Sequence, residues 1–196
     1  KQKNLCGLNV TIPYKEKIIN CLDEISDQAK EIGAVNTICF DNKRKIGYNT
    51  DIFGFSKSLE INEINNIDSV LILGSGGAAK TISYFCINNN IPYNIVSRKL
   101  SNSNISYNSL NEKHFIKKVL IVNCTPVGTF PDIDRCPDLP YNLINKENVI
   151  FDLVYNPSET LLMKKGKERG CKTLNGHQML RFQAEKSLEL WTKTFK

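Results

Sequence analysis

Three short stretches of the chain carry residues whose types and spacing can do chemistry together. The first, Asn9-Val10-Thr11-Ile12-Pro13-Tyr14-Lys15, sets a lysine just past a short strand and a proline turn, where a scaffold fixes the backbone while the side chain reaches into a crevice. The others are Val35-Asn36-Thr37 and Tyr48-Asn49-Thr50-Asp51. Asn, Thr, Asp and Lys offer many hydrogen-bond donors and acceptors, which suits a polyhydroxylated ligand and not an apolar one. A lysine is an acid at neutral pH, so Lys15 beside Asp51 can exchange a proton at a carbonyl or alcohol oxygen. Spacing alone leaves a plainer alternative open, a surface lysine and a helix-capping aspartate.

A fourth stretch points to an anion. Val70-Leu71-Ile72-Leu73-Gly74-Ser75-Gly76-Gly77-Ala78-Ala79 is a buried-strand pattern, a G-x-G-x-x-A turn and the start of a helix. Glycine at 74 permits the tight turn, glycine at 76 lets the backbone approach a pyrophosphate, and the small residues at 77 to 79 let the helix lie close to the sheet. The helix N-terminus then faces the phosphates of a dinucleotide. The next strand ends Ile95-Val96-Ser97-Arg98-Lys99, with no acid to take a ribose 2′-hydroxyl. A guanidinium can fork onto a 2′-phosphate and a neighbouring ammonium adds charge, so these residues predict NADP rather than NAD.

Periodicity supplies the elements that must hold these groups. Leu5 to Val10 reads as a strand, followed by an apolar-periodic segment around Lys17 to Leu22 and a helix capped by Ser26 and running to Ile32. Ala34 to Phe40 and Lys45 to Asn49 read as a hairpin, and Asp51 opens a helix through Leu59. From Ile67 strands and helices alternate: strands at 70–73, 93–96, 119–122 and 149–154, helices at 78–88 and 159–169. Such alternation builds a parallel sheet covered on both faces. Leu100 to Lys118 has room for one short helix and a loop. Gln178 to Trp191 is amphipathic, with Met179, Leu180, Phe182, Leu188, Leu190 and Trp191 as packing residues.

Composition narrows the class. The 196 residues are 41% hydrophobic and 23% charged, near globular averages. No run approaches a membrane span. The net charge of +6 comes mostly from scattered lysines; the tightest cluster, Lys164, Lys165, Lys167 and Arg169, reads as a solvated helix face, and nucleic acid is not implied. Seven cysteines, odd in number and never in a C-x-x-C pair, fit neither zinc nor a disulfide framework and suit a reducing cytoplasm. No metal is expected.

In order along residues 5 to 191, the chain resembles the shikimate dehydrogenase family. The motifs already quoted are joined by Gly33-Ala34, Asn123-Cys124-Thr125-Pro126-Val127-Gly128, Asp152-Leu153-Val154-Tyr155-Asn156-Pro157, Asn175-Gly176, Met179-Leu180 and Gln183-Ala184. The resemblance implies a Rossmann-type NADP-binding α/β domain over 59–174, an incomplete α/β substrate-binding domain over 1–58, and a C-terminal helix, 175–196, returning to the latter. It implies that Lys15 is the catalytic lysine and Asp51 its partner. Thr11, Asn36 and Gln183 match shikimate contacts, with Tyr155 near the same pocket. On the cofactor side Gly74, Ser75, Gly76, Gly77, Ala78 and Ala79 match the pyrophosphate loop and Ser97, Arg98 and Lys99 the 2′-phosphate site. Thr125, Val127, Leu153 and Gly176 match the nicotinamide side, and Asp27 a weaker cofactor-side position.

The first residue is Lys1, not Met, and the family's strand and helix that precede Asn-Val-Thr, with two carboxylate-binding serines, have no counterpart before it. An N-terminal portion of the substrate-binding domain is therefore expected to be absent from these residues. His177 reads as a solvent-facing helix-start residue rather than a second acid. The implied activity is NADPH-dependent reversible reduction of 3-dehydroshikimate to shikimate by a monomer or homodimer, with no nucleic-acid or membrane partner. A quinate-oxidising paralogue and a non-catalytic binder of NADP or a shikimate-like ligand are the alternatives.

Overall fold

A computed structural model describes residues 5–41, 43–98 and 104–193 of the chain. The N-terminal part runs β1 (Gly7–Asn9), a 3-10 turn (Lys17–Cys21), β2 (Glu24–Ile25), α1 (Asp27–Ile32), β3 (Thr37–Asp41), β4 (Arg44–Tyr48) and α2 (Asp51–Ile61). Then come β5 (Ser69–Leu73), α3 (Gly77–Asn88), β6 (Tyr93–Val96), β7 (Asn104–Ile105), β8 (Val119–Asn123), β9 (Val149–Asp152), α4 (Leu161–Glu168), β10 (Lys172–Leu174) and α5 (His177–Lys193). The division expected at residue 58 falls inside α2.

Two sheets result. A four-stranded one has the order β1-β3-β4-β2, with the β3–β4 hairpin antiparallel. The second, order β10-β9-β8-β5-β6-β7, is parallel throughout. From β5 the chain proceeds one way to β6 and β7, then returns to the other side for β8, β9 and β10. That reversal leaves a crevice at the carboxyl ends of β5 and β8, where ligands bind in open α/β sheets.

The alternation of buried side chains divides the core. Val70, Ile72, Leu120, Val122 and Phe151 face one side and pack with Phe55 and Leu59 of α2, Ala79 and Ile82 of α3, and Met179 of α5. Leu71, Leu73, Ile121 and Ile150 face the other side, against Phe115, Ile144 and Leu162 of α4. Phe55 anchors the first cluster, stacked on Phe151 with ring centroids 5.3 Å apart and edge-on to Phe85 at 5.1 Å.

Local chemistry sets the ends of elements. Ser26 Oγ accepts the Ala29 amide at 3.3 Å to start α1, and Gly33 ends the helix at φ 70, a left-handed turn that glycine adopts without penalty. β9 stops at Asp152, two residues before the expected end, because the Asp152 carboxylate takes the Val154 amide at 3.1 Å. The segment expected to hold one helix instead gives the short strand β7 and two 3-10 turns, Tyr107–Ser109 and Glu112–His114.

Two expected packing residues of α5, Leu180 and Leu188, are 39% and 57% exposed, while Ser187 is fully buried. The inward stripe follows Met179, Gln183, Ser187 and Trp191 at intervals of four, because α2 and the first sheet meet this face. Close approach is possible because position 54 is glycine: a Cβ there would lie 2.5 Å from the Met179 carbonyl oxygen. Trp191 Nε1 donates to Ile38 O at 2.9 Å and ties the helix to β3. The Lys164–Arg169 run is structural: Lys165 lies over the Tyr141 ring, Lys167 pairs with Glu159, and Arg169 donates to the carbonyls of Asn142 and Ile144. His177 is exposed at the start of α5. Among the described residues no helix is long and apolar enough to cross a membrane.

Candidate active site

Lys15 follows the turn in which the Tyr14 amide bonds Thr11 O, and its own carbonyl accepts the Val35 amide at 2.8 Å. That bond fixes the backbone, and the side chain crosses to the start of α2. There Nζ donates to Asp51 Oδ2 at 2.6 Å, with side-chain exposures of 15% and 7%. Asp51 is the first residue of its helix, a position that favours a carboxylate. Its other oxygen accepts from Asn36 Nδ2 at 3.0 Å. Asn36, just before β3, also donates to Gln183 Oε1 at 3.1 Å, so β3, α2 and α5 converge on one polar cluster. Asn49 stands behind it, donating to Ala34 O at 2.9 Å and to Thr81 at 3.2 Å while accepting the Ile52 amide.

Lys15 lines a cleft of about 810 Å³ whose floor is Gly74, Ser75, Gly76, Gly77 and Ala78, within the ~300–1,000 Å³ range of small-molecule sites. Ser97, Arg98, Thr125 and Val127 also line it. Gly74 has φ 107, and a Cβ there would lie 3.0 Å from Thr125 Cγ2. A Cβ at Gly76 would meet nothing within 4 Å. Gly76 also begins α3 with no side-chain cap, leaving the first amides of the helix for an anion. An open glycine surface, an uncapped helix start and a guanidinium at the second strand end fit a dinucleotide carrying a 2′-phosphate.

The walls are braced from behind. Asn123 Oδ1 accepts from the Thr125 amide at 3.0 Å and hydroxyl at 2.6 Å, and Asn123 Nδ2 donates to Asp152 Oδ1 at 2.9 Å. Asp152 Oδ2 accepts from Thr160 at 2.6 Å. Burial raises the Asp152 carboxyl to about 6, against the opposing pull of Thr160, the Val154 amide and Asn123. Cys124 also lines the cleft; burial pushes its thiol up, so it stays protonated and is not a nucleophile at neutral pH.

The structure gathers most of the expected residues and leaves some apart. Asn36, Asp51 and Gln183 join Lys15 through hydrogen bonds. Leu153 and Gly176 pack on each other beside Asn123: a Cβ at Gly176 would lie 2.0 Å from Leu153 O, and neither lines the cleft. Ala79 is buried behind the loop. Thr11, Tyr155 and Asp27 are exposed and do not line the cleft. Lys99 lies outside the described residues. Thr37 and Thr50, expected as donors and acceptors for a ligand, are buried and bond to Asn36 and Ser187; sequence reasoning missed the Asn123–Asp152–Thr160 brace, the Lys80–Glu16 ion pair at 2.6 Å, and Ser187. The last was findable, since it follows Gln183 by four on a helix and so shares its face. Among the described residues no group of three or more His, Cys, Asp or Glu could hold a metal ion.

Residues 1–38 match the family model of the shikimate dehydrogenase substrate binding domain. The shikimate dehydrogenase (NADP(+)) of Clostridium beijerinckii is 42% identical over 193 residues, which cover 94% of this chain and 71% of that protein. The crystal structure of the Thermus thermophilus shikimate 5-dehydrogenase in complex with NADP(H) and shikimate superposes with a TM-score of 0.86 at 31% identity, covering 97% of this chain and 74% of that one. The quinate dehydrogenase of Corynebacterium glutamicum, in complex with NAD, gives 0.82 at 28% identity over 97% and 73%. With its parallel sheet, its glycine loop and a lysine–aspartate pair at one cleft, the chain belongs to the shikimate dehydrogenase family.

Proposed function

We propose that the chain catalyses the reversible NADPH-dependent reduction of 3-dehydroshikimate to shikimate. The observation that carries this reading is the Lys15–Asp51 pair, 2.6 Å apart, at the wall of a cleft floored by the glycine loop. NADPH, when bound, supplies the hydride that adds to the ring carbonyl carbon. Lys15 gives one proton to the carbonyl oxygen as negative charge develops there, which completes the alcohol. Asp51 holds the ammonium in place; in the oxidative direction the neutral amine accepts the hydroxyl proton. Asp51 and Gln183, held by the Asn36 amide, face the ring hydroxyls, and Thr11 and Tyr155 belong to the same substrate side, outside the lining of the cleft. When the cofactor is bound, Arg98 would fork onto the 2′-phosphate, Gly74, Ser75, Gly76, Gly77 and Ala78 would hold the pyrophosphate, and Thr125 and Val127 would lie on the nicotinamide side.

Positioning accounts for most of the rate, since the cofactor carries the redox chemistry. Lys15→Ala should lower kcat by about 10²- to 10⁴-fold and leave the Kd for NADP nearly unchanged; unchanged turnover would remove Lys15 from the chemistry. Rates with shikimate and quinate, each with NADP and NAD, test the substrate and cofactor assignment. Shikimate with NADP should be fastest, and faster quinate oxidation with NAD overturns it. We place the enzyme in the cytoplasm, as a monomer or homodimer, where its seven cysteines stay reduced.

A further inference from the structure

The hydroxyl of Ser187, fully buried in α5, meets more partners than one hydroxyl can serve at once. Its Oγ lies 2.9 Å from Gln183 O, 2.8 Å from Thr37 Oγ1, 3.0 Å from Thr50 Oγ1 and 3.2 Å from Asn9 Nδ2. One hydroxyl has a single proton and two acceptor sites, so Ser187, Thr37 and Thr50 share protons in one closed set. That set opens onto Asn36. The Thr50 amide donates to Asn36 Oδ1 at 2.7 Å, and the Thr37 and Thr50 hydroxyls lie 3.1 and 3.2 Å from the same oxygen, each giving it a proton only when that proton is not given to Ser187. With its oxygen held by the Thr50 amide, the Asn36 side chain sets its NH₂ group against Asp51 Oδ1 at 3.0 Å and Gln183 Oε1 at 3.1 Å, and against the Thr50 hydroxyl oxygen at 2.9 Å.

A buried serine bonding the carbonyl four residues back is ordinary helix behaviour. The hydroxyl of Ser58, equally buried in α2, makes that bond to Gly54 O at 2.7 Å. Ser187 makes the same bond and reaches β1, β3 and the start of α2 besides. Removing its oxygen takes a hydrogen-bond partner from Thr37 and Thr50, which are buried and find replacements poorly.

We propose that Ser187 is a positioning residue: acting through Thr37 and Thr50, it fixes the side-chain amide of Asn36 so that Asp51 and Gln183 face the substrate in register with Lys15. The proposal rests on the reading of Asn36, Asp51 and Gln183 as the substrate side. Ser187→Ala is compared with Ser58→Ala by steady-state kinetics with shikimate, NADP titration, thermal unfolding, and exchange of the Asn36 side-chain amide protons followed by NMR. Both variants should lower Tm by similar small amounts. Ser187→Ala alone should raise the shikimate KM or lower kcat by roughly three- to tenfold, with the NADP Kd unchanged, and should speed exchange at Asn36 by about tenfold or more. Kinetics and exchange like those of Ser58→Ala overturn the proposal, as does unaltered exchange alone. Faster exchange at Asn36 in a chain that does not turn shikimate over upholds the positioning role and rejects the proposed reaction.

Discussion

Alanine at position 76 separates the role of the glycine loop in the fold from its role in binding. Gly76 sits at φ −88 and ψ −169, an extended conformation open to any residue, and a methyl group there would meet no protein atom within 4 Å. Two small terms oppose each other in the free protein. Restricting the unfolded chain gains about 0.4–1 kcal/mol, and replacing glycine by alanine at a helix cap loses about 0.5–1 kcal/mol. The Tm of Gly76→Ala should therefore stay within about 2 °C of the parent, at the ~2–4 °C per kcal/mol expected for this size. The methyl group does occupy the open face of the loop, where a phosphate oxygen must come within hydrogen-bond distance of the first amides of α3. Losing one charge-assisted bond costs about 1.5–3 kcal/mol, which raises the Kd about 10- to 150-fold. Calorimetric titration with NADPH reads this directly. An unchanged Kd with unchanged Tm would show that the pyrophosphate does not lie on this loop.

Gly54→Ala should do the reverse and damage the fold first. Its Cβ would lie 2.5 Å from the Met179 carbonyl oxygen and 3.1 Å from the Gln183 amide, so α2 and α5 must part; overpacking of this kind costs about 1–3 kcal/mol, more than the roughly 1 kcal/mol alanine gains in a helix. A Tm at or above that of the parent would mean the helices are not packed as described. Asp152 predicts a pH dependence: folding raises its carboxyl from 3.8 to about 6, so between those values the folded chain holds more protons and this group adds stability as pH falls. The gain relative to Asp152→Asn should reach about 2 kcal/mol between about pH 7 and about pH 4.5, measured by urea unfolding; a constant difference between the two proteins across that range would refute the burial argument.

What was legible in the sequence follows from how far each signal extends. Strands β5, β8 and β9 are continuous apolar runs that can only be buried on both faces, and the hairpin and the capped start of α1 carry their own turn chemistry, so local pattern sufficed. Strands β2 and β7 have two residues each and β10 has three, too few to show a period; they are strands because a neighbour offers a free edge. The α5 face was misread for a related reason. Leucines at 180 and 188 suggested the packing stripe, but tertiary contact with α2 and β3 turns inward a stripe that includes Gln183 and Ser187, and the chain accepts polar residues there because Asn9, Asn36, Thr37 and Thr50 satisfy them. The types of the site residues were legible; the hydroxyl set bonded to Asn36 was not, since its members lie up to 150 positions apart.

Gly77 shows how the two halves of the site are brought into register. The motif reading gives this residue the task of letting α3 lie close to its own sheet. Its side-chain direction instead faces the other half of the site, for a Cβ at 77 would lie 3.1 Å from Lys15 Cβ and 3.5 Å from Ala34 Cβ. Transfer of hydride and proton to one carbonyl requires reacting atoms about 3–3.5 Å apart, so in the proposed reaction the glycine loop and Lys15 must be set at a fixed separation. The close approach of Gly77 to the Lys15 side chain is one contact that sets it. The neighbouring Lys80–Glu16 pair crosses the same seam but is about 40% exposed on both partners, worth at most about 1 kcal/mol, and can bias the approach without fixing it. Glycine at 77 therefore serves Lys15 as well as the loop: a methyl group there, 3.1 Å from Lys15 Cβ, would have to be met by a shift of a few tenths of an ångström between the loop and the lysine.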